Sequence, residues 1–476
     1  MLVISAFLFA SCGSDTESTT KDPNVVLIFI DDEGYGDPGC YGAGGYTTPA
    51  IDHLASQGMR FTHYYSAQSV CSVSRAALMT GCYPNRLGIP GAFFPDDVTG
   101  LNQDEFTMAE MFKEQGYVTA CIGKWHLGWQ EEFLPMQHGF DEYFGLPYSN
   151  DMWPNDNVTG QRLPPGKSSY PALPLIEGNS IVDSIVSMKD QDKLTTLYTE
   201  KAVDFIHRNA EHPFFLYVPH TMGHIPLGVS DKFRGKSEHG LYGDVMMEID
   251  WSVAEIEKAL KENNLTDNTI FIFTTDNGPW LNYGNHAGSA GGLREGKMTN
   301  WEGGQRVPFI IRWPGNIPGG TVCNELACSI DLLPTLASIL DAELSDNKID
   351  GVNISTLWKG DFSSSPRETI LYYHSDGLNA VRKGKWKLVL PHTYRSYNAE
   401  PGKDGHRGGR VRTTVEEPEL YNLFRDPGES YNIIDYNPDV VSDIMIVVEE
   451  ARKELGDVNV GLEKGSGSRE IGRLKN

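Results

Sequence analysis

The sequence predicts an α/β fold whose core strands run parallel, followed by a smaller part built on short antiparallel strands. Three features carry that expectation. Apolar runs rich in β-branched residues, such as Asn24-Val-Val-Leu-Ile-Phe-Ile30, lack polar alternation, the pattern of a strand buried on both faces. Tyr242, Met246, Ile249, Val253, Ile256 and Leu260 keep the three-four spacing of a helix packed on a sheet. Beyond residue 366 the pattern changes to short alternating runs over 370–373, 378–382 and 386–390, around the turn Lys383-Gly384-Lys385.

At 476 residues the chain exceeds the size at which one core stops growing, roughly 250–300 residues. The expected division is a leader and tether over 1–22, a main domain over 23–365 and a smaller domain over 366–476. With 39% hydrophobic and 22% charged residues the composition excludes a disordered or fibrous chain. The net charge of -24 argues against nucleic acid or an anionic membrane surface as partner. An anionic ligand would need a local cluster of cations, because exposed charges are screened beyond about 8–10 Å.

Residues 1–12 hold an apolar run too short to span a bilayer, which reads as a secretory h-region. Phe9-Ala10-Ser11-Cys12 resembles a bacterial lipoprotein cleavage box. That implies an exported, periplasmic or cell-surface protein, lipidated at Cys12 and tethered by the polar stretch to Asp22. No other segment is long and apolar enough to be a transmembrane span. Of the seven cysteines, Cys323 and Cys328 are near enough in sequence for a local disulfide.

Taken in order, the first strand ends at Asp31-Asp32, with Glu33 and Asp37 close behind. Like charges crowded at a strand end are costly without a cation, and the carboxyl ends of parallel strands are where open α/β sheets place ligands. Thr48-Pro49 opens a helix that turns Ile51, Leu54 and Ala55 inward and stops at Gly58. Cys71-Ser-Val-Ser-Arg75-Ala-Ala-Leu-Met-Thr-Gly81 takes a polar loop into a helix closed by glycine. Its start exposes unpaired N–H groups and a positive dipole end, so Cys71 faces a pocket suited to an anion. A helix over 107–115 feeds a strand over 117–122 and then Gly123-Lys124-Trp125-His126. In an extended segment Lys124 and His126, two apart, point the same way. Ser149 follows in Tyr148-Ser149-Asn150-Asp151.

The stretch 155–190, rich in proline, glycine and serine, reads as a long surface loop, a kind uncommon unless functional. A helix over 194–209 and a strand over 213–219 lead to His220-Thr-Met-Gly-His224-Ile-Pro226, whose histidines suit either a metal pair or a loop. The strand over 269–274 ends in Thr275-Asp276-Asn277-Gly278. Lys297 lies in a glycine-bounded segment before Arg306-Val-Pro308 and a closing strand over 309–313. A helix over 331–340 and a linker over 363–366 come next. Residues 401–412 read as a mobile loop, and a helix over 439–455 ends the fold. His374 and the arginines of 407–412 suit a sugar ring or a carboxylate, and equally a solvated basic loop. Asp31, Asp32, Asp276 and Asn277 all follow apolar strands and can converge at one end of a sheet. Such an oxygen-only set suits a hard cation.

Cys71-x-x-Ser74-Arg75, followed by Leu78-x-Thr80-Gly81, resembles the signature of the sulfatase family, with Val73 where proline or alanine is usual and Cys82 where a basic residue is more usual. Gly123-Lys124-Trp125-His126 resembles a second motif, and the motifs fall in the family's order from Asn24 to about Asp435. The resemblance implies the α/β sandwich of the alkaline-phosphatase-like superfamily, with a large mixed sheet and a smaller C-terminal domain carrying an antiparallel sheet. It implies sulfate-ester hydrolysis through Cys71, which a formylglycine-generating maturation enzyme oxidises to an aldehyde whose hydrate is the nucleophile. One calcium ion is implied on Asp31, Asp32, Asp276, Asn277 and residue 71. Arg75 would hold the hydrate, Lys124 and Lys297 would contact sulfate, and His126 would take the hydrate's proton. His224, with Lys297, would protonate the leaving oxygen. Ser149 resembles a further substrate contact, and His220 is left a structural role.

Export and tethering point to a sulfated carbohydrate as the substrate. Two other readings stay open: a phosphatase or phosphonate hydrolase of the same superfamily, and an inactive sulfatase-like protein that binds sulfated glycans.

Overall fold

The computed structural model describes residues 22–164, 166 and 170–474, so the expected leader and the lipidation site at Cys12 lie outside the described residues. The strands of the main sheet, in chain order, are β1 (Asn24–Ile30), β2 (Met59–Tyr65), β3 (Val118–Ile122), β4 (Glu142–Gly145), β5 (Leu173–Glu177), β6 (Ser180–Ile185), β7 (Phe214–Pro219), β8 (Thr269–Thr275), β9 (Arg306–Arg312), β10 (Thr321–Cys323) and β11 (Ala327–Cys328). They lie in the order β10-β2-β9-β8-β1-β7-β3-β4-β5-β6, with β11 also on β2. The centre from β8 to β4 is parallel, and β9 enters antiparallel between β8 and β2.

The longer helices are α1 (Pro49–Gln57), α2 (Cys71–Thr80), α3 (Met108–Glu114), α4 (Leu194–Arg208), α5 (Leu241–Glu262), α6 (Leu332–Leu340) and α7 (Pro438–Leu455). Parity along β1 sorts them into two layers, since successive strand residues face opposite sides. Val25, Leu27 and Phe29 pack with residues of α2, α3 and α6, whereas Val26, Ile28 and Ile30 pack with α1, α4 and α5. The unbroken apolar run of β1 is what a strand covered on both faces requires.

The C-terminal strands β12 (Thr369–His374), β13 (Gly377–Lys383), β14 (Trp386–Val389) and β17 (Glu419–Asn422) form a four-stranded antiparallel sheet, while β15 (His392–Ser396) and β16 (Val411–Val415) make a separate two-stranded ribbon. Helix α7 covers the sheet through Ile444, Val448, Ala451 and Leu455. The expected large mixed sheet and smaller antiparallel sheet are both present.

One local expectation is corrected and two are sharpened. The stretch 155–190 is not one loop, because β5, β6 and a short helix (Met188–Gln191) occupy its second half. Pro174 disguised β5, a strand near the sheet edge where a missing N–H is tolerated. Residues 401–410 form the expected loop, which is tied down. Gly402 and Gly408 both donate their N–H groups to the Asn282 carbonyl, at 2.8 and 2.7 Å, and β16 begins at Val411. Cys323 and Cys328 are free thiols, because they pair with Phe61 and Tyr65, four positions apart on β2. That places them about 13 Å apart, beyond disulfide reach.

Candidate active site

Two strand ends create the site. β1 and β8 are parallel neighbours with Ile30 opposite Thr275, so Asp31-Asp32 and Asp276-Asn277 leave the sheet side by side. Asp276 donates its N–H to the Ile30 carbonyl, and Asp32, in the left-handed region at φ 59°, donates its N–H to Asp276 Oδ1 at 3.1 Å. All four side chains are buried.

Helix α2 approaches this edge with Cys71 as its first residue and Val70 extended before it. Arg75, one turn on, shares the face of Cys71. Its Nε and Nη2 donate to Asp276 Oδ2 at 3.1 and 2.8 Å, and its Nη1 donates to the Lys124 carbonyl at 2.7 Å. The Lys124 loop leaves β3 against the end of β7. A Cβ on Gly123 would lie 1.9 Å from the Pro219 carbonyl oxygen, so only glycine permits that approach. Lys124 Nζ then bonds Asp31 Oδ2 and donates to Ser149 Oγ at 3.2 Å. Gly278 plays the same part for the last segment, since its Cβ would sit 1.8 Å from the Gly303 carbonyl oxygen. Lys297 arrives there with Nζ 2.6 Å from Asp32 Oδ1, an atom that also accepts from Asn277 Nδ2 at 2.7 Å.

The two histidines hold opposite ring nitrogens bare. His224 Nδ1 is 2.6 Å from the Ile225 carbonyl, which fixes it as the donor, and Nε2 stands 3.6 Å from Asp32 Oδ2. His126 donates from Nε2 to the Phe93 carbonyl at 3.0 Å and leaves Nδ1 buried without a partner. Burial, reinforced by Lys124 and Arg75, pushes His126 well below the usual imidazole range. Burial and Lys297 lower His224 against the pull of Asp32 and Asp31. Both shifts favour the neutral ring. The segment carrying Lys124 and His126 is not extended, with φ 140° at Gly123 and 64° at His126, so the turn rather than strand alternation aims these side chains.

Charge balance is uneven across the carboxylates. Burial opposes ionisation of Asp31, but Lys124, His224, Arg75 and Lys297 outweigh it and hold that carboxyl far below its ordinary value. Asp276 is pushed up to about 7 by burial and by Asp31, despite Arg75. Burial disfavours the charge on Lys297, yet Asp32 raises its pKa well above normal. The Cys71 thiol is also raised by burial, even with Lys124 and Lys297 nearby, so it is not a ready thiolate.

Asp31 Oδ1, Asp32 Oδ2 and Asn277 Oδ1 are buried with no hydrogen-bond partner. Ligand atoms of Asp31, Asp32 and His224 lie within 4.8 Å of one another. Three orphaned oxygens fit a hard cation. Both oxygens of Asp276 already accept hydrogen bonds, so it joins such a site only by sharing them.

Thus Asp31, Asp32, Arg75, Lys124, Ser149, His224, Asp276, Asn277 and Lys297 form one contiguous cluster around the start of α2. His126 adjoins it beside Lys124 and Arg75. His374 does not, because it lines a neighbouring pocket with Met298 and Arg410. His220 bonds Ser252 Oγ at 3.1 Å, apart from the carboxylates. Sequence reasoning missed Trp280, whose ring centroid lies 5.2 Å from that of His224 and 4.6 Å from Lys297 Nζ. Its place three residues after Asn277 was the available signal.

The family model described as Sulfatase matches residues 23–342, and that described as C-terminal region of aryl-sulfatase matches 365–471. The chain is 39% identical over 452 residues to arylsulfatase A of Bos taurus, covering 91% of this chain and 87% of the relative. It is 36% identical over 482 residues to N-acetylgalactosamine-6-sulfatase of Canis lupus familiaris, covering 96% and 90%. A solved sulfatase from Pseudoalteromonas sp. superposes with a TM-score of 0.80 at 29% identity, covering 91% of each chain.

Proposed function

From the premise that the chain belongs to the sulfatase family and is a sulfuric ester hydrolase, we propose that it removes sulfate from sulfated carbohydrates, using formylglycine at position 71 and one bound calcium ion. The observation that carries this reading is the meeting of three orphaned oxygens with Arg75, Lys124 and Lys297 at the first residue of α2. A protonated, buried thiol is a poor nucleophile, so oxidation of Cys71 gives the position a chemistry that cysteine itself lacks there.

Asp31, Asp32 and Asn277, with Asp276 sharing, would hold the cation. Calcium there would supply positive charge to the sulfate oxygens, and formylglycine would supply a hydrated carbonyl as the nucleophile toward sulfur. Lys124 and Lys297 bind sulfate oxygens and orient the ester in line with residue 71. Arg75, fixed by Asp276 and the Lys124 carbonyl, holds the attacking side chain. His126 accepts the proton from residue 71 at its bare Nδ1. His224 donates from Nε2 to the leaving oxygen, its protonated form being favoured as the sulfate brings negative charge beside it. Ser149, held by Lys124, adds a substrate contact. The name of the N-acetylgalactosamine-6-sulfatase relative supports a sugar substrate. On this reading the catalytic domain is 23–365, the smaller domain is 366–476, a maturation enzyme acts on Cys71, and the protein is exported on a lipid anchor.

Mass spectrometry of the Cys71 peptide, with turnover measured on a chromogenic aryl sulfate, a phosphate ester and defined sulfated sugars, tests the proposal. The expected result is an aldehyde in place of the thiol, sulfate release exceeding phosphate release, and a loss of about 10⁴-fold or more in Cys71→Ala without unfolding. Full activity with only unmodified Cys71 overturns the formylglycine mechanism.

A further inference from the structure

The ribbon of β15 and β16 sets Arg395 directly opposite Arg412. Like charges in that position destabilise a strand pair. Arg410, two residues before Arg412, repeats its parity and crowds the same pocket. In a chain with 64 acidic against 40 basic residues, none of these three arginines forms an ion pair among the described residues, whereas Arg86, Arg367 and Arg452 each have carboxylate partners. Burial, and repulsion by Arg407 and Arg395, disfavour the charge on Arg410. The three line a cavity of about 370 Å³ together with His374 and Met298, and His374 Nδ1 is buried there without a partner.

This cavity adjoins the catalytic centre. Met298 directly follows Lys297, and Arg410 Nη1 lies 3.3 Å from Met298 Sδ. Tyr397, just past the end of β15, donates its hydroxyl to the Lys297 carbonyl at 2.6 Å. Arg410, Lys297 and Asp32 all act electrostatically on the Tyr397 hydroxyl, so the arginines lie on the side toward which a saccharide with one sulfate on Lys297 would extend a neighbouring substituent. Guanidinium groups match the paired oxygens of sulfate and carboxylate.

We infer that the Arg395–Arg410–Arg412 pocket is a second anion site, which takes a further sulfate or carboxylate on the same saccharide whose scissile sulfate lies at Lys297. The inference rests on the proposed function and narrows the substrate class to saccharides carrying more than one anionic group. An anion between the ribbon's arginines removes the repulsion that the bare ribbon carries.

Titration calorimetry in a Cys71→Ala background, where no ester is cleaved, tests it with sodium sulfate and with tetrasaccharides of chondroitin, carrageenan and heparin type, each in singly and multiply sulfated form. In at least one series the multiply sulfated form is expected to bind tenfold or more tightly than its singly sulfated counterpart. That advantage should fall below twofold after R395Q/R412Q and to an intermediate value after R412Q alone. Persistence of the full advantage in R395Q/R412Q, or its absence from every series before substitution, overturns the inference. Loss of sodium sulfate binding by the same factor as the saccharides also overturns it, in favour of a free-anion site. Urea unfolding checks that the variants fold, with midpoints at or above the parent because a like-charge pair is gone. Turnover of the chromogenic aryl sulfate by enzyme with intact Cys71 reports separately on the proposed function.

Discussion

Two of the protein's buried clusters of opposite charges differ in what they leave unpaired. At the junction with the C-terminal sheet, Glu302 accepts from the hydroxyls of Tyr65 and Tyr372 at 2.5 and 2.7 Å and lies 3.3 Å from Lys387 Nζ. Lys387 also lies 2.7 Å from Glu429, whose other oxygen accepts the Glu302 N–H at 2.8 Å. Both oxygens of Glu302 are engaged, and Glu429 Oε1, which accepts no hydrogen bond, faces the Lys387 ammonium at 2.7 Å. At the strand ends, by contrast, Asp31, Asp32 and Asn277 each keep a buried oxygen with no partner. Burying a polar atom unpaired costs free energy, so the first cluster reads as a clamp between the main and C-terminal sheets and the second as a site awaiting a ligand. Burial and charge count alone would not tell them apart.

That contrast can be broken most sharply at Lys387. Lys387→Met leaves Glu302 and Glu429 buried around a lost cation, and the expected cost is about 3–5 kcal/mol in urea unfolding with turnover per folded molecule retained. A variant of normal stability and low activity would assign the junction a catalytic role instead. A smaller effect is expected from the cation. Chelation should abolish sulfate release and added calcium should restore it. Saturation at about 100-fold over its dissociation constant should add about 2.7 kcal/mol to stability, an increment that Asn277→Ala diminishes and Lys387→Met does not.

The smallest effect concerns His220, a buried ring outside both clusters, which burial pushes down to about 4 from an ordinary 6.5. The unfolded chain takes up this proton as pH falls below 6.5, while the folded chain resists until about pH 4, so its stability contribution is complete above 6.5 and is lost across that window. At pH 5 the loss is about 2 kcal/mol. Unfolding measured at pH 7 and pH 5 should show this dependence weakened by that amount in His220→Gln, and an unchanged dependence would place the titration elsewhere.

What the sequence determined on its own was whatever is written in contiguous residues. The unbroken apolar run before Asp31-Asp32 announced both β1 and the acid pair at its end, and the spacing of Cys71, Ser74 and Arg75 carried the family resemblance. Tertiary structure decided what depends on partners far along the chain. The docking of 401–412 needed Asn282, the separation of Cys323 from Cys328 needed the register of β2, and the aim of His126 needed a turn rather than a strand. It also decided which oxygens stay unpaired. Local pattern reflects how each segment meets water and its own backbone, whereas a polar atom is satisfied or orphaned only by what the rest of the fold brings against it.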